Sequence, residues 1–155
     1  MPTFLGQPYA LEWRGDPPHM LPRDIPVWYR FLEKYGAPFI KIYYDVRLGG
    51  PFLTPEQEKD PFMRDWQYLS SKRMDVLAEL RSEIWIIEVV HQAGMRSIGQ
   101  CESYLSLWKM DPKIDKPAIK VLVAETIDED LLSAAASLGI VIFIVDTTAI
   151  PLPRR

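Results

Sequence analysis

The sequence predicts an α/β fold in which helices cover a mixed β-sheet, and three observations predict it. Short runs rich in β-branched and aromatic residues alternate with segments of helical period. One run, 140–145, is apolar throughout except for its glycine neighbour at 139, as expected of a strand buried on both faces. Glycine and proline mark the boundaries between these segments. The chain has 155 residues, 48% hydrophobic and 25% charged, which suits one globular domain with a real core.

Residues 1–23 read as a Pro-rich extended arm. Six of the 14 prolines lie in the first 26 residues, beside Phe4, Leu5, Tyr9, Leu11, Trp13 and Met20. Proline keeps such a segment extended, and its apolar groups need a surface to cover. That surface is either the arm's own domain or a neighbouring subunit. A single α/β domain follows over 24–150. Its first helix opens at Asp24, a good N-cap with Pro26 in the first turn, carries Val27, Trp28, Phe31 and Leu32, and stops at Gly36. A β-rich run occupies 39–48 and ends at Gly49-Gly50-Pro51. A polar loop through Lys59 leads to a short helical stretch at 61–69.

Two strands are predicted over 72–80 and 83–90. Gly94 opens a helix to about Lys109, with Met95, Ile98, Cys101, Leu105 and Trp108 along one stripe. Pro112 and Pro117 punctuate the next connection, and 119–123 is a strand. Asp128, Glu129 and Asp130 suit a helix N-terminus, and that helix ends at Gly139 before the apolar run at 140–145. Residues 151–155 form a short surface tail. The order is α-β-(α)-β-β-α-β-α-β.

Composition excludes several function classes. No apolar run reaches the roughly 18–20 residues that span a bilayer, so no membrane association is expected. The N-terminus lacks the basic head and apolar stretch of a signal peptide. Cys101 is the single cysteine, which excludes an internal disulfide and points to a reducing compartment. His19 and His91 are far apart, so a zinc site is not expected. There is no glycine-rich phosphate loop and no nucleophile elbow. Net charge is −3 and the pI is near 5.4, so any nucleic-acid contact must be local.

The chemistry is concentrated between Arg73 and Trp108. A hairpin turning at Arg81-Ser82 sets Leu80 opposite Glu83 and Asp75 opposite Glu88. Directly opposed residues share a sheet face, with Cβ atoms roughly 5 Å apart. Two carboxylates so close do not both stay ionised without a cation, and Mg²⁺ would resolve the conflict through oxygen ligands. A solvated strand face would leave the same two acids as ordinary surface residues. In this register Arg73 lies opposite Val90. Gln100 and Tyr104, four apart, share a helix face. They flank the acids, or Tyr104 is a core aromatic and Gln100 serves a strand edge. His91 alternates to the opposite face from Glu88, and Cys101 reads as inert core.

The stretch RMDVLAE…EIWIIEVV…AGMRSIGQCESYLSLW resembles the PD-(D/E)XK nuclease superfamily, and more narrowly its small phage-encoded members. Their pattern is Asp, then Glu-x-Lys, then Gln-x-x-x-Tyr. The resemblance spans 24–145 in element order and 73–108 in motif. It implies a restriction-endonuclease-like αβββαβ core. It also implies Asp75 and Glu88 as ligands of Mg²⁺, with Glu33 as an extra acid and Gln100 and Tyr104 beside the substrate. The family lysine, which orients the attacking water, is Val90 here. Arg73 is the nearest replacement cation but a poor proton shuttle.

Two functions follow from the resemblance. One is a non-catalytic phage protein used in virion structure or assembly, at the head–tail neck or in the tail. Its partners would be other protein subunits, in a homo-oligomer or with virion neighbours, through the N-terminal arm. The other is an active Mg²⁺-dependent DNA nuclease with a rearranged cation. Either implies the host cytoplasm or the phage virion.

Overall fold

The computed structural model describes residues 2–146. The expected tail at 151–155 and the end of the predicted domain at 147–150 lie outside the described residues. The elements are α1 (Ile25–Tyr35), β1 (Lys41–Leu48), a 3-10 turn (Gln57–Lys59), α2 (Pro61–Ser70), β2 (Lys72–Glu79), β3 (Ile84–Ala93), α3 (Met95–Met110), β4 (Ala118–Ile127), α4 (Glu129–Ser137) and β5 (Val141–Ile144). The fold is α/β, with a five-stranded mixed sheet flanked by helices. Strand order is β1-β2-β3-β4-β5. The first three strands are antiparallel, and β4 and β5 add in parallel through helical crossovers. No helix among the described residues is long and apolar enough to cross a membrane.

Helices cover both faces. On one face α1 buries Val27, Trp28, Phe31 and Leu32 against Ile42, Tyr44, Val76, Ile87, Val121 and Val123. The Trp28 indole N–H donates to the Tyr44 hydroxyl at 2.8 Å inside that layer. On the other face α3 sets Tyr104 and Trp108 against Leu77, Ile84 and Ile86. Further along, Ile98 and Cys101 of α3 meet Leu122, Ala124 and Ala135. Burial pushes the Cys101 thiol up to about 12, so it stays protonated and inert.

The hairpin turns where the sequence predicts. Leu80 N donates to Glu83 O at 2.8 Å across Arg81-Ser82, and the register runs from Glu79↔Ile84 to Val76↔Ile87. β3 and β4 are longer than expected. β3 continues to Ala93 because Gln92 and Ala93 pair with Thr126 and Ile127 of β4. Asp24 sits at the N-cap of α1 but makes no capping bond. Its carboxylate accepts instead from His91 N at 2.8 Å and ties the helix entry to β3.

The arm packs on its own domain. Phe4 and Tyr9 bridge to Arg47 and Ile42 of the edge strand β1. Tyr9 and Trp13 stack about Tyr44, with centroids 4.6 to 5.7 Å apart. Thr3 N donates to the Asp111 carboxylate at 3.0 Å. The arm therefore covers an edge that would otherwise offer unpaired backbone groups.

Candidate functional site

The site arises where the sheet forks. β2 and β3 pair only as far as Val76↔Ile87. One step further stand Asp75 and Glu88. Beyond them β2 stays with β1 through Met74, Arg73 and Lys72, while β3 stays with β4. The two carboxyls occupy the opening. Asp75 Oδ2 accepts from Val89 N at 2.9 Å, a bond that replaces the missing ladder. Glu88 and Asp75 also hydrogen-bond to each other.

β1 breaks beside the fork. Asp45 has φ of 53°, in the left-handed region, which costs on the order of 1–3 kcal/mol for a residue other than glycine. The ladder runs Tyr44↔Val76 and then Val46↔Met74. Tyr44 and Val76 pack under α1, whereas Val46 and Met74 belong to the α3 face. Both strands thus change face together at Asp45 and Asp75, and the bend separates β2 from β3.

Burial sets the protonation of the pair. It raises Glu88 strongly, and the hydrogen bond and charge of Asp75, with the charge of Asp24, raise it further; Arg96 pulls the other way. Burial raises Asp75 too, while its hydrogen bonds from Glu88 and Val89 oppose that shift. Both carboxyls are thus pushed toward the neutral form, and the pair titrates as a unit with a proton shared between them. Tyr104 is raised first by burial and then by the charges of Glu88 and Asp75, so its phenol stays protonated. Gln100 donates to the Tyr104 hydroxyl at 3.3 Å.

Asp75, Glu88, Tyr104 and Gln100 thus come together. Arg73 does not join them. The strands have parted at its position, so it no longer faces Val90. Its ladder partner is Arg47, and its guanidinium binds Asp45 at 2.7 Å. Glu33 is directed to Arg30 on its own helix, 3.5 Å away, and is not gathered with the pair. The acid that α1 brings near the pair is Asp24. Val90 packs against the α3–α4 cluster and pairs with Ala124. His91 meets Glu125 at 3.0 Å.

Sequence reasoning missed Arg96. It lines an open cleft of about 710 Å³ with Lys72, Gln100, Ser103 and Tyr104. The signal was present, since residues 96, 100 and 104 follow the four-residue spacing of one helix face. Asp24 and Asp45 carried no such signal, because long-range placement brings them to the fork.

The donor set for a divalent ion is right in kind and short in number. Asp75 and Glu88 offer hard oxygen ligands once the shared proton leaves. Among the described residues, no group of three or more His, Cys, Asp or Glu is placed to hold a metal. Asp24, the nearest further acid, is engaged by the His91 backbone.

No protein-family model and no curated protein matches the chain. Among solved structures it is similar to the crystal structure of a protein of unknown function, AF1548. Identity is 17%, the TM-score is 0.48, and the match covers 77% of this chain and 56% of that one.

Proposed function

We propose that this chain is a small phage-type protein with a PD-(D/E)XK-like domain that no longer cleaves nucleic acid and serves in virion structure or assembly, at the head–tail neck or in the tail. The observation that carries the reading is the cation missing from the acid pair: Val90 stands in place of the lysine, and Arg73, the nearest alternative, is bound to Asp45 at 2.7 Å. A nuclease site of this kind needs, beside its metal-holding acids, a cation at the scissile phosphate. Here the pair closes the fork of the sheet and acts as a structural latch. Contact with neighbouring subunits falls to α2, which exposes Phe62, Trp66 and Leu69.

The test is plasmid cleavage with Mg²⁺ or Mn²⁺. The wild type is expected to be silent, since loss of one electrostatic group at such a centre costs about a hundred- to a thousandfold in rate. Val90→Lys restores the motif, and continued silence would strengthen the structural reading. Wild-type cleavage abolished by Asp75→Ala would overturn it.

One observation favours the second reading, an active Mg²⁺-dependent DNA nuclease. Arg96 lies close enough to lower Glu88 and shares a cleft with Gln100 and Tyr104. In that case Arg96→Met abolishes cleavage, whereas Arg73→Met leaves it.

A further inference from the structure

The corner where the arm meets β1 and α2 gathers three arginines, Arg47, Arg64 and Arg73. Arg47 and Arg73 face each other across the β1–β2 ladder, a repulsive placement. Arg73 is neutralised by Asp45. Among the described residues, Arg47 and Arg64 make no ion pair. The Arg47 guanidinium lies over the Phe4 ring at 4.3 Å and over the Tyr68 ring at 4.6 Å. Stacking engages the flat face of a guanidinium and leaves its in-plane fork of N–H donors for an anion.

The arm builds this arrangement. Phe4 N donates to Arg47 O at 2.9 Å, and Arg47 N returns a bond to Phe4 O at 3.1 Å. With Thr3 anchored on Asp111, the Phe4 ring is held over Arg47. Between arm and α2 lies an open cleft of about 390 Å³, lined by Phe4, Arg47, Arg64, Asp65, Gln67 and Tyr68. The Tyr68 ring carries both Arg47 and Arg73, whereas Phe4 carries Arg47 alone and is 53% exposed.

We propose that this cleft binds a nucleotide, its phosphate on Arg47 and Arg64 and its base on the Phe4 ring. Two guanidiniums from separate elements match an oxyanion with several oxygens, where a carboxylate needs only one fork. The ring argues for a base beside the phosphate. Asp65 supplies an acceptor for a base amino group or a sugar hydroxyl. The volume lies in the range of small-molecule sites, roughly 300–1,000 Å³. A free mononucleotide and a nucleotide within a strand share this chemistry. The site stands apart from the acid pair and does not depend on how that pair is read.

The test is calorimetric titration of the full chain with adenosine monophosphate, with inorganic phosphate and with a short single-stranded oligoadenylate. Saturable binding of the mononucleotide assigns the cleft to free nucleotides, and binding of the oligonucleotide alone assigns it to a strand. In either case Arg47→Gln weakens binding about ten- to a hundredfold, the worth of a charge-assisted hydrogen bond. Phe4→Ala weakens nucleotide binding and leaves any phosphate binding in place. Should Arg47→Gln fail to fold, Arg64→Gln on the exposed side of α2 gives the same readout. The proposal is overturned by absence of binding to all three probes. It is equally overturned by affinities unchanged in both arginine variants, or by inorganic phosphate binding as tightly as the nucleotide.

Discussion

The fork at Asp75 and the corner at Arg47 meet on strand β2 and resolve charge in opposite ways. At the fork two carboxyls are enclosed, and one of them takes up a proton. At the corner the guanidiniums keep their charge, lie against rings and stay open to water on one side. The difference follows from the chemistry of the groups. A carboxyl neutralises itself when water is removed, so an acid pair tolerates the interior. A guanidinium does not, so arginines gather only where a face remains solvated. The fork therefore serves stability, and the corner is where the proposed recognition is set.

The largest effect that tests this contrast is on stability. Asp75→Ala leaves Val89 N–H and the Glu88 proton without an acceptor inside the sheet. Each buried unsatisfied group costs about 1–3 kcal/mol, so a total of about 2–6 kcal/mol is expected in a denaturant titration. Arg47→Gln loses ring contacts at a half-exposed site and should cost under about 1 kcal/mol. If the two variants are equally stable, the division between latch and recognition surface is wrong.

The second effect is on pH dependence. Glu88 is raised in the folded chain above its ordinary value of 4.5, chiefly by burial. Between that value and its folded one, the folded state holds a proton that the unfolded state has released. Stability from this group is thus complete below the ordinary glutamate range and declines as pH rises through the raised value. Glu88→Gln keeps a hydrogen-bond donor toward Asp75 and removes the titration. Thermal melts at several pH values should therefore show a flatter profile for Glu88→Gln than for the wild type, with relative stabilisation on the alkaline side. A wild-type profile with no alkaline decline attributable to Glu88 would show the pair ionised.

Much of the fork was legible in the sequence, and the reason is local. Strand alternation and a two-residue turn fix the Asp75–Glu88 juxtaposition from residues only 13 positions apart. The Gln100–Tyr104 pairing is likewise a property of one helix. The role of Arg73 was misplaced because alternation was carried past Val76, where the strands part and β1 captures β2. That parting depends on the left-handed turn of β1 at Asp45, which no periodicity announces. Proline and the apolar residues of 1–23 announce a segment that needs a surface to cover. Which surface it covers depends on Tyr9, Trp13 and Tyr44 meeting across the sheet edge, a contact no local pattern encodes.

The smallest effect on folding, and the sharpest on assembly, is expected on α2. Phe62, Trp66 and Leu69 follow the spacing of one helix face, which in a lone domain would normally turn inward. Here they are 77%, 48% and 79% exposed, and no residue of α2 is buried. The helix is held by its other side and its ends. Asp60 caps Phe62 N at 2.9 Å, Gln67 donates to Pro51 O at 2.8 Å, and Arg47 and Arg73 lie over Tyr68. Trp66→Ser should therefore change the stability of the isolated chain by under about 0.5 kcal/mol, as for surface positions generally. If the stripe serves subunit contacts, the same change lowers the mass seen by sedimentation or light scattering at concentrations where the wild type associates. A loss of more than about 1 kcal/mol would place the indole in the domain's own packing. A wild type that stays monomeric at every concentration would remove self-association from the proposed function.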